Sequence, residues 1–295
     1  MKKRYCEHTI SASEGRCNED SCAIGENFGI VVDGSSGLDK RKVTNYPTDA
    51  AWYSETLKNY LVEHINDSLS IKDIVRKAII AIDNEYNKFP DTENITSKPS
   101  AAIALYRITD DTLEYFVLGD CSIILRNSNN ETLHLHQDDI SNLDQININK
   151  MVEIAREQGI DVADALPLIQ EDLLRTRLTQ NTEGGYWIVS NCPDAVDHAL
   201  YGEVPAENIE QIAAMSDGFS QIFDTFGILE IDELMDRLET TPLQEFINIL
   251  NIAKESDPKC NAFPRFKPAD DKAVIFWTKR PELQKSDKTI SEQGE

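Results

Sequence analysis

Three apolar stretches of this sequence run into an aspartate beside a glycine: Phe28-Gly-Ile-Val-Val-Asp33-Gly34, Phe116-Val-Leu-Gly119-Asp120 and Ile212-Ala-Ala-Met-Ser-Asp217-Gly218. Runs this short, β-branched or aromatic and bounded by glycine, suit buried strands, each delivering a carboxylate to a rim. Asp270-Asp271 stands just ahead of a further run, Ala273 to Thr278, and Glu19-Asp20 just ahead of one that starts at Cys22. Taken singly, an aspartate at a strand end is most often a turn former or a helix N-cap. Taken together, Glu19, Asp20, Asp33, Asp120, Asp217 and Asp270 or Asp271 would repel one another on a shared rim and could not all ionise unaided. A pair of divalent cations offsets that repulsion. Oxygen-only donors suit Mg²⁺ or Mn²⁺, whereas zinc favours His or Cys, and neither clusters here. Two such ions ~3.5–4 Å apart can share a hydroxide and aim it at a phosphoryl group.

The elements around these residues bring some of them together without long-range assumptions. Cys22 to Ile24 reads as a strand that hairpins through Gly25-Glu26-Asn27 into Phe28, so Glu19 and Asp20 are expected beside Asp33 at the exit of the partner strand. Gly34 and Gly37 then let the backbone turn back or approach a ligand closely. Pro47-Thr48 opens a helix carrying Trp52, Tyr53, Leu57, Tyr60, Leu61 and Ile65 at steps of three and four. Ser70-Ile-Lys-Asp73 caps a second, whose apolar face runs from Ile71 to Tyr86. Strands at 101–108, 112–118, 122–126 and 131–135 form a meander, and 137–180 reads helical. Strands at 186–189 and 209–215, helices at 219–226, 230–239 and 242–255, and a last strand at 273–278 complete the pattern. The polar tail, 281–295, is expected to be disordered. Strands and helices do not alternate one by one, which predicts an α+β fold of antiparallel sheets with helices packed outside.

Composition narrows the function. A net charge of −23 repels phosphate backbones and anionic surfaces, which disfavours nucleic-acid binding. No apolar run approaches the ~18 residues of a membrane span, and the basic start lacks an apolar segment behind it, so the reading is no membrane and a cytoplasmic location. The six cysteines are scattered, without a Cys-x-x-Cys pair, as in a reducing compartment. His134 and His136, two apart on a strand, share a face and read as a surface or core pair before a metal site.

The segments Arg16-Cys-Asn-Glu19-Asp20, Val31-Val-Asp33-Gly34-Ser-Ser-Gly37, Pro99-Ser-Ala-Ala102, Leu118-Gly-Asp120-Cys121, Met215-Ser-Asp217-Gly-Phe219 and Ala269-Asp-Asp271-Lys-Ala273 resemble, in the same order, the motifs of the PP2C family of metal-dependent protein phosphatases. The flavour is that of divergent bacterial members. The resemblance implies one domain over residues 1–280, a four-layer α/β/β/α sandwich of two central antiparallel sheets flanked by helices, with two Mn²⁺ or Mg²⁺ ions in a cleft at one end. Asp33 would bridge both ions, the Gly34 carbonyl and Glu19 would hold one, with Asp20 beside them, and Asp217 and Asp271 would hold the other. Asp120 would serve a weaker third ion. Arg16 would clamp the phosphate with its paired donors, and the metal-bridging water would attack phosphorus in line.

Four departures stand out. Arg16 is one residue nearer Asn18-Glu19-Asp20 than is usual in bacterial members. Ser35 stands where eukaryotic members carry a proposed general-acid histidine, and Gln221 where many have an aspartate for the third ion. Lys272 follows the aspartate pair in place of asparagine, leaving the register open between Asp270 and Asp271. The implied activity is hydrolysis of phosphoserine and phosphothreonine on a protein substrate, with a Ser/Thr kinase as counterpart. The competing readings are a catalytically silent PP2C-like binding module and a phosphatase of small phosphorylated molecules.

Overall fold

The computed structural model describes residues 4–13, 15–38, 42–95 and 97–279; the expected disordered tail lies outside them. Among the described residues, ten strands form two antiparallel five-stranded sheets. The first contains β1 (Arg4–Ile10), β6 (Ser122–Asn127), β7 (Thr132–Leu135), β9 (Ile209–Met215) and β10 (Lys272–Thr278), in the order β1-β10-β9-β6-β7. The second contains β2 (Asp20–Ile24), β3 (Phe28–Ser35), β4 (Ser100–Ile108), β5 (Thr112–Leu118) and β8 (Leu200–Pro205), in the order β2-β3-β4-β5-β8.

Period-two alternation lets each sheet bury both faces, one against its fellow and one against helices. Val31, Ala104, Tyr106 and Val117 of one sheet pack on Ile123, Leu125, Ile212, Ala214, Ile275 and Trp277 of the other. The alternate residues Ile30, Val32, Ile103, Leu105 and Phe116 meet helices α1 (Asp49–His64) and α2 (Ile71–Tyr86). On the far side Ile124, Ala213, Val274 and Phe276 meet α7 (Ile231–Thr240) and α8 (Leu243–Ser256). These are the expected four layers.

Both long helices of the first layer start on side-chain caps: Thr48 accepts from the Ala51 amide and Ser70 from the Asp73 amide. The start of α2 is also fixed from the sheet. Glu114 of β5, 4% exposed, accepts from the Ile71 amide (2.7 Å) and the Tyr201 hydroxyl (2.8 Å) and pairs with Arg107. Between the meander and β8, the chain forms α3 (Asp139–Gln158), the short α4 (Val162–Ala165) and α5 (Gln170–Arg177). This segment has its own small core of Met151, Ala155, Val162, Ala165 and Ile169 with Cys260. Lys150 to Asp172 (2.5 Å) and Asn147 to Thr176 (2.9 Å) tie α3 to α5.

Several expectations need correction. β1 and β8 were not anticipated; each is a sheet edge, where one-sided pairing tolerates the mixed polar, Gly and Pro composition of Leu200-Tyr-Gly-Glu-Val-Pro205. Residues 186–189 make only isolated bridges, Val189 to Ala101 and Tyr186 to Gln180, not a strand. The helix expected over 219–226 is the single turn α6 (Asp217–Ser220), followed by turns to Phe226. Gly34 is not a turn: β3 continues through it to Ser35.

Candidate active site

Strand pairing puts Asp20 directly across from Asp33, and Asp33 across from Ala102. Gly34 is required by closeness: a Cβ there would lie 2.5 Å from the Glu19 carbonyl oxygen and 2.9 Å from that of Ala50. Glu19 therefore runs against the strand that carries Asp33. The turn from β5 to β6 carries Asp120 behind Gly119, whose φ of +91° is open to glycine and whose Cβ would meet Ala102 at 2.6 Å. From the other sheet, Asp217 opens α6 at the end of β9, and Gly218 lies against Asp271 so tightly that a Cβ would sit 1.8 Å from the Asp271 carbonyl oxygen.

Ser216 joins the two sheets at this point. Its hydroxyl donates to Asp20 Oδ2 (2.7 Å) and accepts from the Ala273 amide (2.9 Å). The result is one cavity of about 590 Å³ lined by Glu19, Asp33, Gly34, Asp120, Asp144, Asp217, Asp270 and Asp271. A second cavity shares Asp120, Asp144, Asp217 and Asp270 with it and extends past His134, His136 and Asp224.

The electrostatics follow from this crowding. Desolvation pushes the Asp33 carboxyl well above the carboxylate range, with Asp20, Asp217, Asp120 and Asp270 adding to it. Asp20 is raised by desolvation and by Asp217, Asp270 and Asp271, against the Ser216 hydrogen bond. Asp217 rises to about 8, through desolvation and then Asp270 and Asp120, with Asp33 and Lys267 acting the other way. Asp120 rises to about 6, through desolvation and then Asp144.

The two aspartates before β10 have different surroundings. Asp271 is buried, and both its oxygens accept from backbone amides, Oδ1 from Ala12 (2.6 Å) and Oδ2 from Glu19 (2.9 Å). It pins the loop that leads into β2. Asp270 opens onto both cavities, with Oδ1 at 2.6 Å from the Lys267 ammonium. Arg16 is exposed and lines neither cavity. His134 and His136 stack face to face, centroids 4.2 Å apart.

Three groups were not singled out from the sequence. Asp144 on α3 is raised to about 7 by desolvation and Asp217, against the cations Arg177 and Lys267. Arg177 ends α5, and Lys267 sits in the loop before the aspartate pair. All three come from segments with no strand-end pattern, so spacing carried no signal; only the acid-lined cavity reveals them.

The carboxylates fit a hard divalent cation in donor chemistry: all-oxygen, mutually repelling and, at Asp20, Asp33, Asp120 and Asp217, raised in pKa by burial and by neighbouring carboxylates. Among the described residues no three His, Cys, Asp or Glu side chains stand in a ready ligand arrangement, and the Lys267 ammonium is a positive charge already lodged in the cluster.

No protein-family model and no curated protein sequence matches the chain. Solved structures do. The Mycobacterium tuberculosis serine/threonine phosphatase PstP/Ppp superposes with a TM-score of 0.56 at 13% identity, over 94% of this chain and 98% of that one. The chain has the PP2C phosphatase fold. A PstP catalytic domain in complex with two manganese ions gives 0.54 at 14% identity, over 94% and 97%. Staphylococcus aureus phosphatase Stp1 gives 0.55 at 10%, over 95% and 96%. Identities this low speak to the PP2C fold, and the chemistry has to be argued from the residues. No helix among the described residues is long and apolar enough to cross a membrane.

Proposed function

We propose that the chain is a metal-dependent phosphoric monoester hydrolase acting on phosphoserine and phosphothreonine of protein substrates, opposite a Ser/Thr kinase. The convergence of Asp33, Asp120, Asp217 and Asp270 on one cavity at the junction of two sheets carries this reading. The PP2C fold and a manganese-bound neighbour with that fold support it.

Asp33, Asp217 and Asp270 would hold Mn²⁺ or Mg²⁺, with Glu19 and the Gly34 carbonyl beside Asp33 and Asp120 toward a third, weaker position. Asp270 is assigned in preference to Asp271, because both Asp271 oxygens accept backbone amides, whereas the Asp271 amide and Lys267 both meet Asp270 at Oδ1. Asp20 is likewise engaged, by Ser216, and stands directly across the strand pair from Asp33. When bound, such ions neutralise phosphoryl oxygens and acidify a water. The protein's own part is to hold that charge in a partly dry cavity, where Asp33 and Asp217 would give up any protons they carry to solvent as the ions bind.

A second reading, a catalytically silent binding module with the same fold, is favoured by the Lys267 ammonium on Asp270. The deciding experiment is hydrolysis of para-nitrophenyl phosphate and of a phosphothreonine peptide, with Mn²⁺, with Mg²⁺ and with EDTA, by the wild type, Asp33→Asn and Asp217→Asn. Turnover that needs metal and disappears in both variants is expected. Turnover of the small ester alone would point to small phosphorylated molecules, and a folded chain with no turnover to the silent module.

A further inference from the structure

A phosphate dianion entering a cavity this acidic needs a cation aimed at it, and Arg16 does not line the cavity. Among the described residues two cations line it, Arg177 and Lys267. Lys267 is engaged by Asp270 at 2.6 Å. Arg177 is anchored differently: its Nη2 donates to Ser35 Oγ (2.6 Å), the Ser36 carbonyl (3.0 Å) and Ser100 Oγ (3.4 Å), all uncharged acceptors. Ser35 and Ser100 are register partners on β3 and β4. Ser35 lies two residues beyond Asp33, on the same face of the strand and about 7 Å along it. One end of the guanidinium is thus fixed beside the central aspartate. Nε and Nη1 carry three more N–H donors in the same plane, with the Tyr186 hydroxyl as a further neighbour.

We propose that Arg177, delivered by α5, is the phosphate-binding residue of this site, in the role the sequence resemblance gives to Arg16. A planar fork with one nitrogen held on serine oxygens can present its other donors bidentately to two phosphoryl oxygens. The α3–α5 segment then supplies a binding group to the cavity as well as a cover. The assignment rests on the phosphatase reading for its biological sense, but its test does not need turnover.

The test is titration of the magnesium-loaded full chain with inorganic phosphate by calorimetry, alongside KM for para-nitrophenyl phosphate. Arg177→Ala is expected to weaken phosphate binding at least tenfold and to raise KM comparably, with Mg²⁺ affinity unchanged; Arg177→Lys recovers part of the loss. A purely structural role for Arg177 would lower the melting temperature without moving phosphate affinity in the folded protein. Phosphate affinity within twofold of wild type in Arg177→Ala, a tenfold loss in Arg16→Ala instead, or no phosphate binding by the wild type would each overturn the proposal. Should Arg177→Ala not fold, Arg177→Lys decides, because it keeps the charge and loses the fork: an affinity within twofold of wild type overturns the assignment. A chain that binds phosphate through Arg177 and hydrolyses nothing would sink the phosphatase reading and leave this one standing.

Discussion

Lys267 holds its ammonium 2.6 Å from Asp270 Oδ1, although its side chain is 46% exposed. Desolvation opposes the charge, and the Asp270, Asp217 and Asp33 carboxylates more than offset it, holding the ammonium well above the ordinary lysine range. A fixed positive charge there resists the entry of a divalent cation. Lys267→Met is therefore expected to bind Mn²⁺ roughly three- to tenfold more tightly, about 1 kcal/mol. Calorimetric titration reads this directly, and an unchanged or weaker affinity would show that the lysine does not compete.

Gly218→Ala tests how tightly the two aspartate-bearing turns are packed. The added methyl would lie 1.8 Å from a backbone oxygen, that of Asp271, so α6 has to move. A loss of about 3 kcal/mol in denaturant unfolding is expected, together with weakened Mn²⁺ binding as Asp217 shifts away from Asp270. A neutral result would mean that the turn is slack.

Glu114 makes a stability prediction far from the site. It is 4% exposed and answers the Ile71 amide, the Tyr201 hydroxyl and Arg107. Glu114→Ala takes the counter-charge from the half-buried Arg107, which keeps the Ile65, Asp67 and Leu69 carbonyls, and leaves the Ile71 amide without its acceptor, at a cost of about 3 kcal/mol. Chemical denaturation checks it; a loss below about 1 kcal/mol would contradict it.

His134 makes a pH prediction. Desolvation, with the neighbouring His136, lowers its pKa to about 4. The folded state then binds fewer protons than the unfolded state, whose histidine titrates near 6.5. Its contribution is full above about pH 6.5 and is lost as pH falls toward about 4. The melting-temperature difference between His134→Phe and wild type should therefore shift in favour of the variant between pH 7 and pH 4.5. A constant difference would mean that the imidazole protonates as easily folded as unfolded.

The interior of this fold was legible because central strands are uniformly apolar and helices carry clean stripes. Residues 112–118 came out as the strand Thr112–Leu118, and the cap at Ser70 was readable from four residues. The edges were not. β1 and β8 pair on one side only, and their mixed composition has no fixed period. In the site, the apolar-strand-then-aspartate pattern brought Asp33, Asp120 and Asp217 to attention, and the structure gathers them around one cavity. The different surroundings of Asp270 and Asp271 were beyond spacing, because two amides, of Ala12 and Glu19, reach Asp271 from some 250 residues away in sequence. Asp144, Arg177 and Lys267 were equally hidden, since helices and loops far along the chain bring them in.

Asp33 belongs to one sheet, while Asp217 and Asp270 sit at the strand ends of the other, with Ser216 reaching across to Asp20. Neither slab of the sandwich owns the site. The spacing of its carboxylates is therefore a measure of how the slabs sit on one another. Shear between them, and so between the helix layers packed on each, would change the spacing of those carboxylates without anything entering the cavity.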